Sequence, residues 1–510
     1  MVRPSFIPGV VLGFILAAAV TAAVPDPAAG QTVKPIGRDA ARGFRFENLR
    51  FDPPSVQQRT LDSGVSVFLM EDHSLPLVTI YARFRGGYAL LPRESYASAV
   101  ALPSLLRTGG TTHLPPDSVD FLLDYYALST TFGGGGESTF SSVNSLAKHL
   151  EPAIDLWGEL LKSPRFDLDE MEIWRARQLE AIRRRGDSAG LLAVTQFNRI
   201  MFGDHPIGWQ MEESDLVPER IDPEAVARTY SSILCPENLI LGAVGDVRWD
   251  QLEPILNEMV SDWPSCSGEL LEPRIPELRT ERQVFIIPKD LAQSHIVVAG
   301  PGGVSQSPDP DYFASRIGNS ILGAGGFSSR LLTRVRTDEG FAYSASSFWT
   351  TPTRFEGIVG ATTQTKSQST VEVTQLLLDT MNDLAEEAPE EHEVERVVSQ
   401  IVNSFVFNFQ DPSQIVSRQM FFLARDLPED WLERFVRGIQ RVEPDDIQRV
   451  FREYVDPERM TILIVGNPAD FDEPPDALGE TVIWNVGSSG EPGGAGSFSE
   501  FLREGRRSPR

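Results

Sequence analysis

The sequence predicts an α+β chain built from two homologous halves, and three observations predict it. The first is a pair of echoed segments. Arg228 to Asp246 runs helix end, Pro236-Glu237 turn, apolar strand and Gly245, and Arg452 to Asn467 repeats that order through Pro457-Glu458 to Gly466. The second is another echo, Val100 to Gly110 with Arg316 to Gly326, at a similar offset of a little over two hundred residues. Two spaced matches at one offset are the signature of a duplication. The third is the order of patterns within each half, with strand-like runs first and helical spacing after them.

Taken in order, Val65 to Met70 and Leu77 to Phe84 read as strands of the first half, and Gln283 to Ile287 and His295 to Ala299 as their counterparts in the second. Helical spacing follows at Ala153, Leu156, Trp157, Leu160 and Leu161, and Met171 to Arg185 is rich in strong helix formers. Pro264, Pro273 and Pro276 interrupt the periodicity, which sets a first domain at 45–263, a linker at 264–281 and a second domain at 282–470. From 471 to 510 the chain turns to Pro, Gly and Ser and is expected to form a disordered tail.

At the start, Arg3, the apolar run Val10 to Val20 and the small residues up to Gly30 predict a signal peptide over 1–30, cleaved between 19 and 30. The run is about half the roughly 20 residues that a membrane span needs, no Cys follows it, and no second long apolar segment appears downstream. An exported chain, periplasmic or extracellular and without a stable membrane span, is expected. The 510 residues carry 72 acidic against 46 basic side chains, a net charge of -26 that repels phosphate backbones and excludes nucleic acid as a partner. Cys235 and Cys266 fit a disulfide or two buried thiols equally well.

Arg85-Gly-Gly, Gly203-Asp-His-Pro206, Gly245-Asp246, Phe327-Ser-Ser-Arg-Leu331 and above all Arg334-Val-Arg-Thr-Asp-Glu-Gly-Phe-Ala-Tyr-Ser344 carry a resemblance to the insulinase/pitrilysin metallopeptidase family, from about Phe51 to Gly466. The resemblance implies two insulinase- or mitochondrial-processing-peptidase-like domains, each a mainly antiparallel sheet with packed helices. It also implies that Arg336 and Tyr343 bind substrate. Catalytic chains of that family hold zinc through His-x-x-Glu-His on a helix and a distal Glu. The matching positions here are Val100, Pro103, Ser104 and Ala181. Val and Ala have no donor atom, Ser is a poor zinc ligand, and Pro103 removes both a helical N–H and the water-activating carboxylate.

No other residues rebuild the site. None of the six histidines has a second His within reach on one helical face, and Glu180, beside the distal position, points about 100° away from it. His205 reads as a structural cap of its turn and His392 as part of a solvated acidic helix start. Gly133 to Gly136 and Gly323 to Gly326 lack the phosphate-loop and dinucleotide signatures and read as flexible or close-packed turns.

The expectation is therefore a zinc-free subunit, inactive alone, that binds no cofactor and lends Arg336 and Tyr343 to a shared site. A homologous zinc-motif chain would be its partner and peptides its substrates. A Tyr or Arg donor aimed at the oxyanion of peptide hydrolysis gives that sharing a physical reason. The alternative is a non-catalytic scaffold or peptide-binding protein of the same fold. A self-sufficient homodimer fails because the second half offers only Arg316, Asn319 and Ser320 at the equivalent positions.

Overall fold

The computed structural model describes residues 56–338, 341–407, 409 and 411–486. The signal-peptide expectation for 1–30 lies outside them. The first half comprises strands β1 (Gln57–Thr60), β2 (Ser66–Glu71), β3 (Leu77–Arg85), β4 (Ser129–Gly134), β5 (Ser138–Leu146) and β6 (Leu239–Gly245). Its helices are α1 (Tyr96–Thr108), α2 (Pro116–Tyr125), α3 (Leu150–Lys162), α4 (Leu168–Arg183), α5 (Ala189–Phe202), α6 (Pro223–Ile233) and α7 (Trp249–Val260). The second half holds β7 (Gln283–Pro288), β8 (Gln293–Pro301), β9 (Ala342–Trp349), β10 (Ile358–Lys366), β11 (Thr461–Gly466) and β12 (Thr481–Ile483). Around them lie α8 (Pro310–Asn319), the single turn α9 (Arg330–Leu332), α10 (Thr370–Glu386), α11 (Glu391–Phe407), α12 (Pro412–Ala424), α13 (Trp431–Ile439) and α14 (Pro444–Tyr454).

The two sheets share one plan. The order is β1-β2-β6-β3-β5-β4 in the first and β12-β7-β11-β8-β10-β9 in the second, so β2, β6, β3, β5 and β4 correspond to β7, β11, β8, β10 and β9. Most pairings are antiparallel, the exceptions being β2 with β6, β7 with β11 and β7 with β12. The periodic face of α3 is buried as its spacing predicts, with Ala153, Ile154, Leu156, Trp157, Leu160 and Leu161 turned inward. One sequence expectation is corrected here. Order does not end at 470, because β12 pairs with β7 and both Leu478 and Trp484 are buried.

Strands β6 and β11 are buried along their whole length, which requires cover on both faces of each sheet. One face is covered by the half's own helices. The other is covered by a helix from the opposite half. Helix α5 lays Leu192, Phe197, Ile200 and Met201 on Phe285, Ile287, Val297, Leu463 and Val465 of the second sheet. In return α12 lays Val416 and Met420 on Phe68, Ile240 and Val244 of the first. The approach is so close that a Cβ on Gly242 would lie 2.6 Å from the Met420 sulfur and 2.7 Å from Val416 Cγ1. Truncating Phe197, 2% exposed, to Ala is expected to cost about 3–5 kcal/mol of stability, measured by denaturant unfolding.

The segment 264–281 contains no helix or strand, yet it is tied to the first half. Ser267 N–H donates to the Ser231 carbonyl (3.1 Å), Leu271 N–H to that of Leu90 (2.8 Å) and Arg279 N–H to that of Met201 (3.2 Å). Cys235 and Cys266 form a disulfide 31 residues apart in sequence, with Cα atoms at 5.2 Å, at the head of this segment. Closing a loop of that size removes unfolded-state entropy on the order of 3–4 kcal/mol. Reduction, or Cys235→Ser with Cys266→Ser, is therefore expected to lower the melting temperature in parallel scans, and an unchanged value would contradict it.

Candidate functional site

The motif positions lie on α1, a helix whose Ser98, Ala101, Leu102, Leu105 and Leu106 are buried against the sheet. Pro103 is the eighth of its 13 residues, so the Ala99 carbonyl receives no helical bond from position 103. Val100, Pro103 and Ser104 share one side of the helix. Together with Tyr88, Tyr96, Arg107, Phe132 and Gly134 they line an open cavity of about 590 Å³. Across it runs β4, the terminal strand of its sheet. Helix and strand are in close contact, since a Cβ on Gly134 would stand 3.1 Å from Pro103 Cγ. Ala181 is exposed near the end of α4 and is not among the lining residues.

The free edge of β4 can be assigned from its hairpin. Gly135 N–H donates to the Ser138 carbonyl at 2.9 Å, and Gly134, Phe132 and Thr130 stand opposite Thr139, Ser141 and Val143. Antiparallel pairing alternates bonded and non-bonded pairs, so the N–H and C=O groups of Thr130, Phe132 and Gly134 turn away from β5. Gly133 carries no side chain because the Phe140 ring covers it, with a Cβ there only 2.3 Å from that ring.

The aromatic wall of the cavity is held from behind. Tyr96 packs edge-on to Tyr88 (5.2 Å) and Trp209 (5.6 Å). The Arg93 guanidinium lies 4.8 Å from the Tyr96 ring and forks onto the buried Asp215 carboxylate at 2.7 and 2.9 Å. Burial pushes the Tyr96 hydroxyl up to about 12 and raises Tyr88 as well, so both phenols stay protonated. Arg107, at the rim, donates to Asp120 at 2.8 Å. With Thr108, which also lines the cavity, the set has two neutral phenols, two aliphatic hydroxyls, one guanidinium and no carboxylate or imidazole. It does not fit zinc. Among the described residues, the one cluster of three ligand-type side chains close enough for an ion is Cys235, Glu237 and Cys266, and its two sulfurs are bonded to each other.

Tyr343 is the second residue of β9, the strand equivalent to β4 and likewise at the end of its sheet, and Arg336 lies in the turn before it. Arg336 belongs to a wide helical turn, Thr333–Asp338, which is linked to the strand's approach by a bond from Phe341 N–H to the Val335 carbonyl (3.0 Å). Its guanidinium lies 5.3 Å from the centre of the Phe327 ring, which is 82% exposed. The neighbouring arginines are occupied elsewhere, Arg330 with Glu393 and Arg334 with Asp383, both at 2.6 Å. The register shifts between Gln364 and Thr365, which pair with Ser344 and Ala342. Tyr343 is therefore the extra residue of a bulge. In the preceding turn, Gly323 is close-packed, a Cβ there meeting the Ser347 nitrogen at 2.3 Å.

His205 does cap its turn: Nδ1 accepts from Ile207 N–H (3.3 Å), and Nε2–H donates to the Arg274 carbonyl (3.0 Å). His392 is exposed and pairs with Glu390 at 2.8 Å. The sequence reading missed Tyr88, Tyr96 and Phe132 as cavity residues, although the position of Phe132 before the glycine run was visible.

A duplicated two-sheet shell, with a cavity of apolar, aromatic and hydroxyl groups beside a terminal strand, is the class that fold and site define. Residues 220–401 match the family described as the peptidase M16 inactive domain. A Helicobacter pylori protein named a non-peptidase homolog is 22% identical over 81% of this chain and 94% of its own length. The crystal structure of a peptidase M16 inactive domain from Pseudomonas fluorescens superposes with a TM-score of 0.70, at 21% identity over 81% of this chain and 98% of the other. The periplasmic protease PqqL of Escherichia coli gives a TM-score of 0.70 at 14% identity, over 83% of this chain but 48% of that one. The chain is thus similar, in the fold of its described residues and in the sequence of 220–401, to inactive-type proteins of the M16, insulinase-type peptidase family.

Burial lowers the pKa of two imidazoles at the junction of the halves, His205 and His295. His205 stacks edge-on to Phe355 of the second half (5.3 Å), and His295 lies beneath Gly190 of α5. A depressed imidazole pKa leaves stability intact above the ordinary value of about 6.5. Stability is then lost as pH falls through the folded pKa, because the unfolded chain takes the proton first. The melting temperature is therefore expected to fall between about pH 6.5 and 5, and to fall less steeply in His205→Asn, whose amide does not titrate. Equal slopes would contradict the assignment.

Proposed function

We propose that this chain is the zinc-free subunit of a secreted M16-type peptidase, binding and positioning peptides while a homologous partner chain supplies the metal site. One observation carries the proposal. The helix that would bear the metal keeps its place beside a cavity and a free strand edge, while its ligand positions have lost every metal donor. Selection for a packed core alone would not require an open groove at that place.

In this reading an extended peptide adds to the edge of β4, so that main-chain hydrogen bonds hold substrates of many sequences. The partner's zinc activates water. Arg336, in the turn before β9, and Tyr343, near the start of that strand, supply donors to the oxyanion or to the bound peptide chain. Pairing is supported by proportion, because the match to the periplasmic protease PqqL occupies 48% of that longer chain. Export is supported by the signal-like start and by the disulfide, a bond that persists in oxidising compartments.

A second reading, a non-catalytic peptide-binding or scaffold protein, is favoured by the name of the Helicobacter pylori relative, a non-peptidase homolog. The two readings separate in an assay of the reconstituted pair with Arg336→Ala and Tyr343→Phe introduced singly into this chain. Loss of one oxyanion donor typically costs about 10²–10³ in kcat, and a drop of that order in either variant is expected. Unchanged kcat/KM in both would sink the shared site and leave the scaffold.

A further inference from the structure

We infer that a second cavity, at the junction of the two halves, is a binding site for a small aromatic carboxylate. Such a site stands or falls independently of peptide binding. The cavity measures about 390 Å³, within the roughly 300–1,000 Å³ of ordinary ligand pockets, and shares only Tyr88 with the cavity at α1.

Three parts of the chain build it. The first half contributes Tyr88 to Leu90, the β4–β5 turn at Gly136 and Glu137, and the turn capped by His205. The connecting segment contributes Pro273 and Arg274. The second half contributes Gln306, Phe355 and the rest of the β9–β10 loop from Thr351 to Thr353, with Phe421 and Arg425 at the end of α12. These parts are tied together without a ligand. Tyr88 and Ala89 N–H donate to the Gly135 and Gly136 carbonyls (3.3 and 2.7 Å), and Gln306 N–H donates to that of Pro352 (3.0 Å). The His205 ring packs edge-on to Phe355 across the junction (5.3 Å). A ligand therefore meets walls already in place.

Charge selects the head of the ligand. In a chain of net charge -26, this lining holds two guanidiniums and one carboxylate. Glu137 is already paired with Arg425, each 20% exposed. Arg274 donates to the Asp204 carbonyl (3.1 Å) and, among the described residues, pairs with no carboxylate. The Arg83 and Arg425 guanidiniums lie 5.9 and 5.7 Å from the centre of one ring, Phe421. Arg83 donates to the Ser138 hydroxyl (3.2 Å), and burial together with the nearby Arg425 charge lowers its pKa. Partly desolvated like charges that outnumber the carboxylate beside them are relieved by an added anion. The planar fork of a guanidinium matches the two oxygens of a carboxylate.

The apolar walls select the body. Tyr88, Phe355 and Phe421 are aromatic, and Leu90, Ile207 and Pro352 aliphatic, so a ligand ring exchanges water for apolar surface. Both nitrogens of His205 are engaged within its turn and compete for nothing in the cavity. A cation would meet unopposed positive charge, and a neutral molecule would forgo the charge-assisted bond.

The test is isothermal titration calorimetry on the full chain at neutral pH with 3-phenylpropionate, its amide, and acetate. 3-Phenylpropionate is expected to bind at least about tenfold more tightly than the amide, the scale of one charge-assisted bond, and more tightly than acetate, which lacks the ring. Arg274→Gln should bring the acid down toward the affinity of the amide. Thr353→Trp and, as a second filler, Gln306→Phe should abolish binding of the acid while the melting temperature without ligand stays close to that of the native chain. Equal binding of acid and amide, or binding of neither, would overturn the site. Binding of the acid that is unchanged in all three variants would place it elsewhere and overturn the site as well.

Discussion

The structure depends on the exchange of two helices. Each sheet is apolar on both faces, and each half has helices of its own for one face only. The other face of the second sheet is closed by α5 from the first half, and that of the first sheet by α12 from the second. Neither half can be drawn away without exposing a face of the other, so the two behave as one cooperative body and are not modules on a flexible linker. Segment 264–281 follows the same logic. It makes no secondary structure, but it is stapled by Cys235–Cys266 and bonded to the first half, and so it conveys a fixed geometry.

That rigidity gives meaning to the bare helix. Catalytic metal chemistry needs ligands held to a fraction of an ångström, and a duplication so interlocked fixes the placing of α1 whatever side chains its cavity side carries. Val100, Pro103 and Ser104 still face a cavity and a free edge because packing on the opposite side of α1, through Leu102, Leu105 and Leu106, fixes the helix. The equivalent edge strand in the second half, β9, carries Tyr343 near its start, with Arg336 in the turn before it. The two edges are the natural places to look for contact with peptide or partner.

Much of the fold was legible in the sequence. The duplication showed because strand, turn and glycine recur in order, and β6 and β11 read as buried because Leu239 to Val244 and Ile462 to Val465 are continuous apolar runs and do not alternate. That continuity also held the clue to the exchanged helices, but an apolar run says only that both faces are covered and not by what. The order beyond 470 was missed because β12 is three residues long in a Pro- and Gly-rich setting, and a single edge pairing plus the burial of Trp484 does not mark a composition. At the site, the sequence showed that Val100, Pro103, Ser104 and Ala181 stand at the positions where the resemblance expects zinc-site residues. The aromatic wall was not, because Tyr88, Tyr96 and Phe132 come from three separate segments that only the sheet order brings together.

The most direct measurement is isolation of the tagged chain from its own host under mild conditions, with mass spectrometry of what co-purifies and quantification of zinc in the eluate. The account predicts a stoichiometric partner bearing His-x-x-Glu-His and about one zinc per pair. A chain recovered without such a partner and without zinc would contradict the shared-site peptidase.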